Sequence, residues 1–419
     1  MPNDWNMFRL GTNCLKIGSG ATPRGGSDVY VENGPYALIR SQNIYNDGFR
    51  REGLAFINEK QADDLSNVEV QRNDILLNIT GDSIARCCHV EESVLPARVN
   101  QHVAIIRSDL GKLDPRFLRY YLISPKMQAQ LLSWAGSGGT RNALTKGMIE
   151  SFEVFAPSKI AEQRAIAHIL GTLDDKIALN RKMSQTFEAV AQGLFKSWFV
   201  DFDPIRAKAE GRDSGLPQHI ADLFPDNFEV SELGEIPTGW KVGRLDDLLV
   251  LQRGFDLPST QRTSGEYPVI AASGPSGTHN VWKVHGPGVT TGRSGVLGRV
   301  FYVQHDFWPL NTSLWVKEYR HSKPAYAYFL LRGIDFKLFN AGSAVPTLNR
   351  NHVHNLSLSI PPMTVINTYE NIASKLLQHQ AENGHQSQIL TAIRDTLLPK
   401  LISGELRIKD AERFLEKAL

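Results

Sequence analysis

The sequence predicts an α+β chain. Two globular mixed α/β domains are separated by two long antiparallel, coiled-coil-like helices, and a pseudo-twofold internal repeat relates the halves. Three observations carry this expectation. The 419 residues are too many for one ordinary core. Six segments recur in the same order about two hundred residues apart, and an apolar seam with helical spacing follows each copy. The expected layout is a first domain over 1–157, a long helix over 158–200 and a linker over 201–236. A second domain follows over 237–361, then a second long helix over 362–406 and a tail over 407–419.

The repeat is one of order more than of identity. Each copy opens on an aromatic-led segment, "WNMFRLGTNCLKIGSG" from Trp5 and "WKVGRLDDLLVLQRG" from Trp240. A Tyr-led strand follows, "YALIRSQNI" and "YPVIAASGP". Next comes an apolar strand that runs into a Gly-containing loop ending in Arg, "DILLNITGDSIARCCHV" and "GVTTGRSGVLGRVFYV". An Asn-centred strand ("ARVNQHVAIIRS", "WPLNTSLWVKEY") and a short helix ("DPRFLRYYLIS", "KPAYAYFLLRG") come after it. The last segments, "GSGGTRNALTKGMIESFEVFAP" and "AGSAVPTLNRNHVHNLSLSIPP", place Leu144 opposite Leu348 and Pro157 opposite Pro361. Such a period is too long for a solenoid and describes a duplicated module.

The helical seams step by three and four residues. The first runs Ile166, Leu170, Leu173, Ile177, then Phe187, Ala191, Leu194 and Trp198, interrupted by polar Asn180 and Ser184. The second runs Val365, Tyr369, Ile372, Leu376, then Leu390, Ile393, Leu397 and Leu401, around a polar middle, "QHQAENGHQSQ". About 40 residues of helix extend roughly 60 Å, a length suited to a rigid spacer between two sites on one duplex. "DFDPIRAKAEGRDSGLPQHIADLFPDNFEVSELGEIPTGW" between the copies is rich in Asp, Pro and Gly and reads as a linker with little regular structure.

Composition narrows the function classes. The net charge of +2 excludes a global polycation, so any nucleic-acid surface must be local. From Trp240 to Asn355 there are 13 Lys/Arg against 7 Asp/Glu, and from Trp5 to Ala156 there are 17 against 16. The second half therefore suits a phosphate-rich partner better. Cys14, Cys87 and Cys88 form neither a disulfide framework nor a CxxC pair, which fits a reducing cytoplasm. "MPNDWNMFRLGTNC" lacks a basic region followed by an apolar run, and no apolar stretch approaches membrane-spanning length, so neither a secretory signal nor a membrane partner is expected.

Catalytic motifs are not found. An amino-methyltransferase would carry Asn/Asp/Ser-Pro-Pro-aromatic, but "SIPPMT" lacks the polar residue directly before Pro361 and the aromatic after Pro362. "GSGG" at Gly136 is not in a GxGxxG frame, and there is no phosphate loop. Asp174-Asp175-Lys176 resembles a nuclease ending but falls inside a helix, where a solvated face is expected. His352 and His354 could share a strand face, yet no third metal ligand is evident, so no metal site is expected.

Base-edge reading needs Arg, Asn, Gln, Ser and Thr on rigid loops, because Arg can bridge guanine O6 and N7 and Asn or Gln can bridge adenine N6 and N7. The first half offers Arg40, Gln42, Asn43, Asn78, Thr80, Ser83, Arg86, Asn100, Gln101 and Arg141, the last within "TRN" from Thr140. The second offers Gln252, Arg253, Thr291, Arg293, Ser294, Arg299, Asn311 and Arg350. The Arg-bearing Gly loop recurs at the equivalent place in both copies, which favours Arg86, Arg293 and Arg299.

"AEQRAIAHILGTLDDKIALNRK", "GLFKSWFVDFDP", "ELGEIPTGWKVGRLDDL" and the closing "LLPKLISGELRI" resemble the specificity subunit of Type I restriction–modification systems over essentially the whole chain. The resemblance implies a non-catalytic subunit that holds no cofactor and reads a split, asymmetric double-stranded DNA target, each domain taking one half while the helix pair sets the unread gap. It implies two methyltransferase subunits carrying S-adenosylmethionine and two motor–nuclease subunits using ATP and Mg. Glu162, Gln163 and Arg164 are then the expected partner-docking residues. The Glu162-Gln163 pair corresponds to Ile366-Asn367 in the second helix, so two unequal docking faces are expected. Rival readings are a module acting only with a methyltransferase, a self-contained methyltransferase or nuclease with unrecognised motifs, and a scaffold for proteins.

Overall fold

Trp5–Arg9 pairs antiparallel with Glu153–Pro157, and Lys241–Arg244 pairs antiparallel with Ser357–Ile360, so each copy is closed by its own first and last strands. The computed structural model describes residues 4–136, 142–340, 342 and 345–418. It forms two units, Met1–Leu179 with Gln386–Leu419 and Asn180–His385.

In the first unit a four-stranded antiparallel sheet runs in the order Cys14–Ser19, Val103–Ser108, Ile75–Asn78, Cys87–His89. Its counterpart in the second unit runs Leu249–Arg253, Ser313–Tyr319, Gly288–Gly292, Val300–Val303, also antiparallel. A further sheet in each unit is built around one parallel pair, Tyr36–Ile39 with Ala97–Val99 and Tyr267–Ala271 with Trp308–Pro309. The matching main sheets and parallel pairs are the structural form of the repeat seen in the sequence, although the further sheet has four strands in the first unit and three in the second. Cys87 and Cys88 are buried in their sheet, and burial pushes the Cys88 thiol up to about 12 and that of Cys87 higher still.

One glycine is obligatory at the same place in each unit. The Gly20 N–H donates to the Val103 carbonyl (3.2 Å) and the Gly254 N–H to that of Ser313 (3.0 Å). A Cβ would lie 1.7 Å from the Val99 oxygen at Gly20 and 2.2 Å from the Leu310 oxygen at Gly254, so only glycine allows this approach. The same hydrogen bonding corrects the alignment of the Asn-centred strand. Val103 N donates to Asn100 O as Ser313 N does to Leu310 O, so the counterpart of Asn311 is Gln101, one residue from Asn100.

The long helices are Ile160–Phe199 and Met363–Ile402, each 40 residues. Within the first unit Ile166, Leu170, Leu173 and Ile177 are buried with Leu390, Ile393, Leu397 and Leu401. Within the second, Ala191, Phe195 and Trp198 are buried with Val365, Ile366, Tyr369, Ala373 and Leu377. The contacts in the second unit run antiparallel, as Phe187 with His379 and Tyr369 with Ala191 illustrate. The buried stripe of the second helix uses Ala373 and Leu377, with Leu376 only half-buried.

Three expectations are corrected. The segment read as a linker folds. It contains helices Asp203–Ala209 and Gln218–Ala221 and a hairpin of Phe228–Ser231 with Gly234–Pro237. Its Asp and Pro residues act as helix starters, with Pro204 in a first turn where its missing N–H is harmless. Several of its apolar residues are buried, Ile205 and Phe224 against Trp198 and its neighbours. The tail is likewise a helix, Ile408–Ala418, with Ala411 buried in the first unit's core.

Asp174 is neither a nuclease acid nor a solvated helix residue. Its carboxylate accepts from Arg119 Nη1 (2.9 Å), Tyr120 OH (2.7 Å) and Arg394 Nη1 (2.7 Å), while Asp175 and Lys176 are exposed. Burial pushes this carboxyl up, but Arg119, Arg394 and Tyr120 outweigh it and hold it below the usual carboxylate range. Replacing one partner of such a pair leaves a buried cation uncompensated. Asp174→Asn is therefore expected to cost about 3 kcal/mol in denaturant unfolding at neutral pH. Because the folded carboxyl is held low, its contribution is present above the ordinary carboxylate range and lost as pH falls below it. The gap between wild type and Asp174→Asn should thus narrow in acid.

Candidate nucleic-acid interface

Two segments, a glycine loop and the segment that docks on it, meet at the end of the main sheet in each unit. In the first, the loop Asn78–Arg86 is closed by Asn78 N to Arg86 O and Ala85 N to Asn78 O, both 2.9 Å. It turns on Gly81 (φ 77°) and Ala85 (φ 71°). The second loop is closed by Gly292 N to Arg299 O (3.2 Å) and turns on Gly295 (φ 86°) and Gly298 (φ 80°). Ala85 thus holds a left-handed conformation that its counterpart fills with glycine, at a cost of roughly 1–2 kcal/mol. The later segment docks on each loop in the same way. Leu144 N donates to Ile79 O (2.9 Å), and Leu348 N donates to Arg293 O (2.8 Å). Thr80 then faces Ala143 as Ser294 faces Thr347.

An open cleft results in each unit. The first, of about 1090 Å³, is lined by Gln42, Tyr45, Thr80, Asp82, Arg86 and His102 among others. The second, of about 970 Å³, is lined by Gln252, Arg253, Phe255, Asp256, Arg293 and Arg350 among others. Arg86 lies over the Tyr45 ring at 4.6 Å, and Thr80 Oγ1 is 2.6 Å from His102 Nδ1. Arg253 Nε and Arg293 Nη1 both donate to the Asn311 carbonyl, each at 3.4 Å, and Arg350 Nη1 donates to the Leu251 carbonyl. The second cleft therefore gathers three guanidinium groups around one acid, whereas the first sets one Arg against one Asp. Polar side chains on rigid loops suit a hydrogen-bonding ligand in both clefts, and the excess positive charge of the second suits an anionic one.

The profile of the family described as "Type I restriction modification DNA specificity domain" matches residues 2–189 and 237–394. The chain belongs to this family. It is 24% identical to the Type I restriction enzyme MjaIX specificity subunit of Methanocaldococcus jannaschii, over 98% of this chain and 95% of that one. To the HindI specificity subunit of Haemophilus influenzae it is 23% identical, over 96% and 100%. The fold resembles the crystal structure of the Type I restriction–modification S subunit from M. genitalium, with a TM-score of 0.65 at 15% identity, covering 96% and 97% of the two chains.

The sequence-predicted readers divide by position. In the first specificity domain Gln42, Thr80, Ser83 and Arg86 line the cleft. Asn43, Asn78 and Asn100 are buried and serve the loops instead. Asn43 donates to the Arg50 and Glu52 carbonyls, Asn78 to the Ser41 carbonyl and Ser83 Oγ, and Asn100 Oδ1 accepts from His102 N. Arg40 packs over Tyr30 and donates to the Gly53 carbonyl. Gln101 is exposed and paired with Thr22 and His102. Arg141 and Thr140 lie outside the described residues.

In the second specificity domain Gln252, Arg253, Arg293 and Arg350 line the cleft. Thr291 is buried, and Ser294 pairs with Thr347 beside the cleft. Asn311 donates to Asp256, and exposed Arg299 donates to the Ser273 carbonyl (3.1 Å) and packs over Phe301. Tyr45, His102 and Phe255 were not anticipated. Nothing in local sequence marks them, since strand pairing brings them to the clefts. His352 and His354 lie on the helix Arg350–His354, not on a strand, and the His354 ring accepts from Leu251 N at 2.9 Å. Among the described residues no group of three metal-ligating side chains is present, and no helix is long and apolar enough to cross a membrane.

The expected docking residues also separate. Gln163 is fully buried; it accepts from Asp114 N (2.8 Å) and donates to the Lys112 and Pro157 carbonyls. It cannot meet a partner. Ile366, in the corresponding place on the second helix, is also fully buried, so a change there tests the core and not docking. Glu162 pairs with Arg407 (3.2 Å), while Arg164 remains exposed beside Asp114. Gln163→Ala would remove hydrogen bonds from three backbone groups, those of Asp114 and Pro157 buried. It is expected to cost about 1–3 kcal/mol, whereas Arg164→Ala should stay within roughly 0.5 kcal/mol; thermal unfolding of the two variants checks the contrast.

Proposed function

We propose that this chain is the non-catalytic, DNA-reading subunit of a Type I restriction–modification complex. Each of its two domains takes one half of a split, asymmetric double-stranded target. The observation that carries this reading is the recurrence, in both copies of the duplicated domain, of a polar cleft framed by the same glycine loop and the same docked segment. The polar lining suits base edges, and the Arg-rich second cleft suits guanine O6 and N7. Gln42, Thr80, Ser83 and Arg86 in the first cleft and Gln252, Arg253, Arg293 and Arg350 in the second are the proposed readers. Gln101, bonded to His102, and Ser294, next to Arg293, border them, while Arg299 packs over Phe301.

The chemistry belongs to partners in this reading. Two methyltransferase subunits carry S-adenosylmethionine and flip the target adenine out of the stack. Two motor–nuclease subunits use ATP and Mg. Exposed Arg164, with Glu162 beside it, is the proposed contribution of the first long helix to methyltransferase docking. The assembly works in the cytoplasm, where its DNA is.

Long-read detection of modified adenines tests this in cells carrying the chain with its partner methyltransferase. A split motif with one modified adenine on each strand is expected. Absence of any split motif, with the methyltransferase present and active, would sink the reading. Arg293→Ala is expected to relax one base pair of one half-site, by about 1–3 kcal/mol of discrimination. The other half-site should not change.

A further inference from the structure

The loop that closes the first cleft carries an acid at its tip. Asp82 follows Gly81, the residue whose φ of 77° turns the chain, and it lines the cleft beside Thr80, Ser83 and Arg86. It is exposed, and among the described residues no hydrogen bond or ion pair engages its carboxylate. The turn does not require an acid. In the second unit the same turn, with Gly295 at φ 86°, continues into Val296, so the backbone path is made equally well by an aliphatic residue. The acid of the second cleft differs in kind, because Asp256 already accepts from Asn311 and shares its cleft with three Arg residues.

An unpaired carboxylate is costly on a surface that meets DNA. A duplex carries about one negative charge per 1.7 Å of axis, and an acid facing it is repelled unless it finds a donor. The major groove offers a carboxylate one kind of partner, the exocyclic amines of cytosine (N4) and adenine (N6). Guanine O6 and N7 and thymine O4 are acceptors and oppose it. A lone acid on a rigid tip therefore discriminates by repulsion as well as by attraction, the stronger route to specificity.

Resting on the function proposed above, we propose that Asp82 is a specificity-determining residue of the first domain. Its carboxylate accepts a hydrogen bond from an exocyclic base amine at one position of that domain's half-site. It selects cytosine or adenine over guanine or thymine on the strand it reads.

The experiment places Asp82→Ala and Asp82→Asn in cells with the partner methyltransferase and reads the modified motif by long-read sequencing, beside the parent chain and Arg293→Ala. The half-site that Arg293→Ala relaxes belongs to the second domain, which identifies the first domain's half. Asp82→Ala should relax one position of that first half, with discrimination there falling roughly ten-fold. Asp82→Asn, whose amide both donates and accepts, should move the same position towards bases that present acceptors. The base in the parent motif then tells cytosine N4 from adenine N6. Matching thermal midpoints for both variants and the parent separate lost specificity from lost folding. An unchanged motif in both variants overturns the proposal. So does relaxation in the second half-site, or a uniform drop in modification with the motif retained. A parent chain that yields no split motif overturns the proposed function itself, and Asp82's role with it. A split parent motif that neither Asp82 variant alters overturns only the role of Asp82.

Discussion

Each unit depends on burying the apolar stripe of a long helix. A helix of this length and composition is not stable by propensity alone; it needs a packed face. In the first unit Ile166, Leu170 and Leu173 are covered by Leu397 and Leu401 and by the short helix Pro115–Ile123 of the domain. In the second, Phe195 and Trp198 are covered by Tyr369 and by the short helix Pro324–Arg332. A carboxylate on the first long helix fixes each of these three-way junctions. Asp174 ties Arg119 and Tyr120 to Arg394, and Glu188 ties Tyr328 and Arg332 to Gln380. Both carboxylates sit on the first helix and both remote partners on the second, so the internal repeat is broken at these contacts. A buried ion pair of this kind adds little net stability, but a wrong pairing would strand a charge in the core. We read it as a device that fixes which helix faces which.

The clefts are built on loops and not on these junctions. The loop Asn78–Arg86 and its counterpart to Arg299 are pinned at both ends by strand hydrogen bonds and along their length by the docked later segment. Side chains on such loops vary in chemistry while the backbone holds still, which is how a scaffold comes to read different ligands. The buried Asn43, Asn78 and Asn100 serve this rigidity. They resemble base readers in sequence because the groups that bridge adenine also bridge a turn.

The two clefts share a glycine loop and a docked segment but are charged differently. Arg253, Arg293 and Arg350 crowd one, while hydroxyls, one Arg and a free acid line the other. This matches the uneven charge of the two halves, 13 basic against 7 acidic residues in the second and near balance in the first. One backbone carrying two linings is what an asymmetric target demands of a duplicated module.

Much of this was legible in the sequence because it is periodic or repeated. The seams of three and four residues marked both long helices, and the recurring order of segments marked the duplication. The Arg-ended Gly loops pointed to the clefts through Thr80, Arg86 and Arg293. What the sequence could not decide was which polar side chains face outward. Asn78 and Thr80 are two residues apart in one loop, yet one is buried and the other lines the cleft, because a strand ends between them. The segment after Phe199 read as a linker because Asp, Pro and Gly signal turns, whereas Ile205 and Phe224 find a core supplied by residues far along the chain. Local chemistry fixes where the chain can turn and which faces are apolar. Only tertiary packing decides which polar groups are spent on holding the loops and which are left for a ligand, since that choice depends on partners remote in sequence.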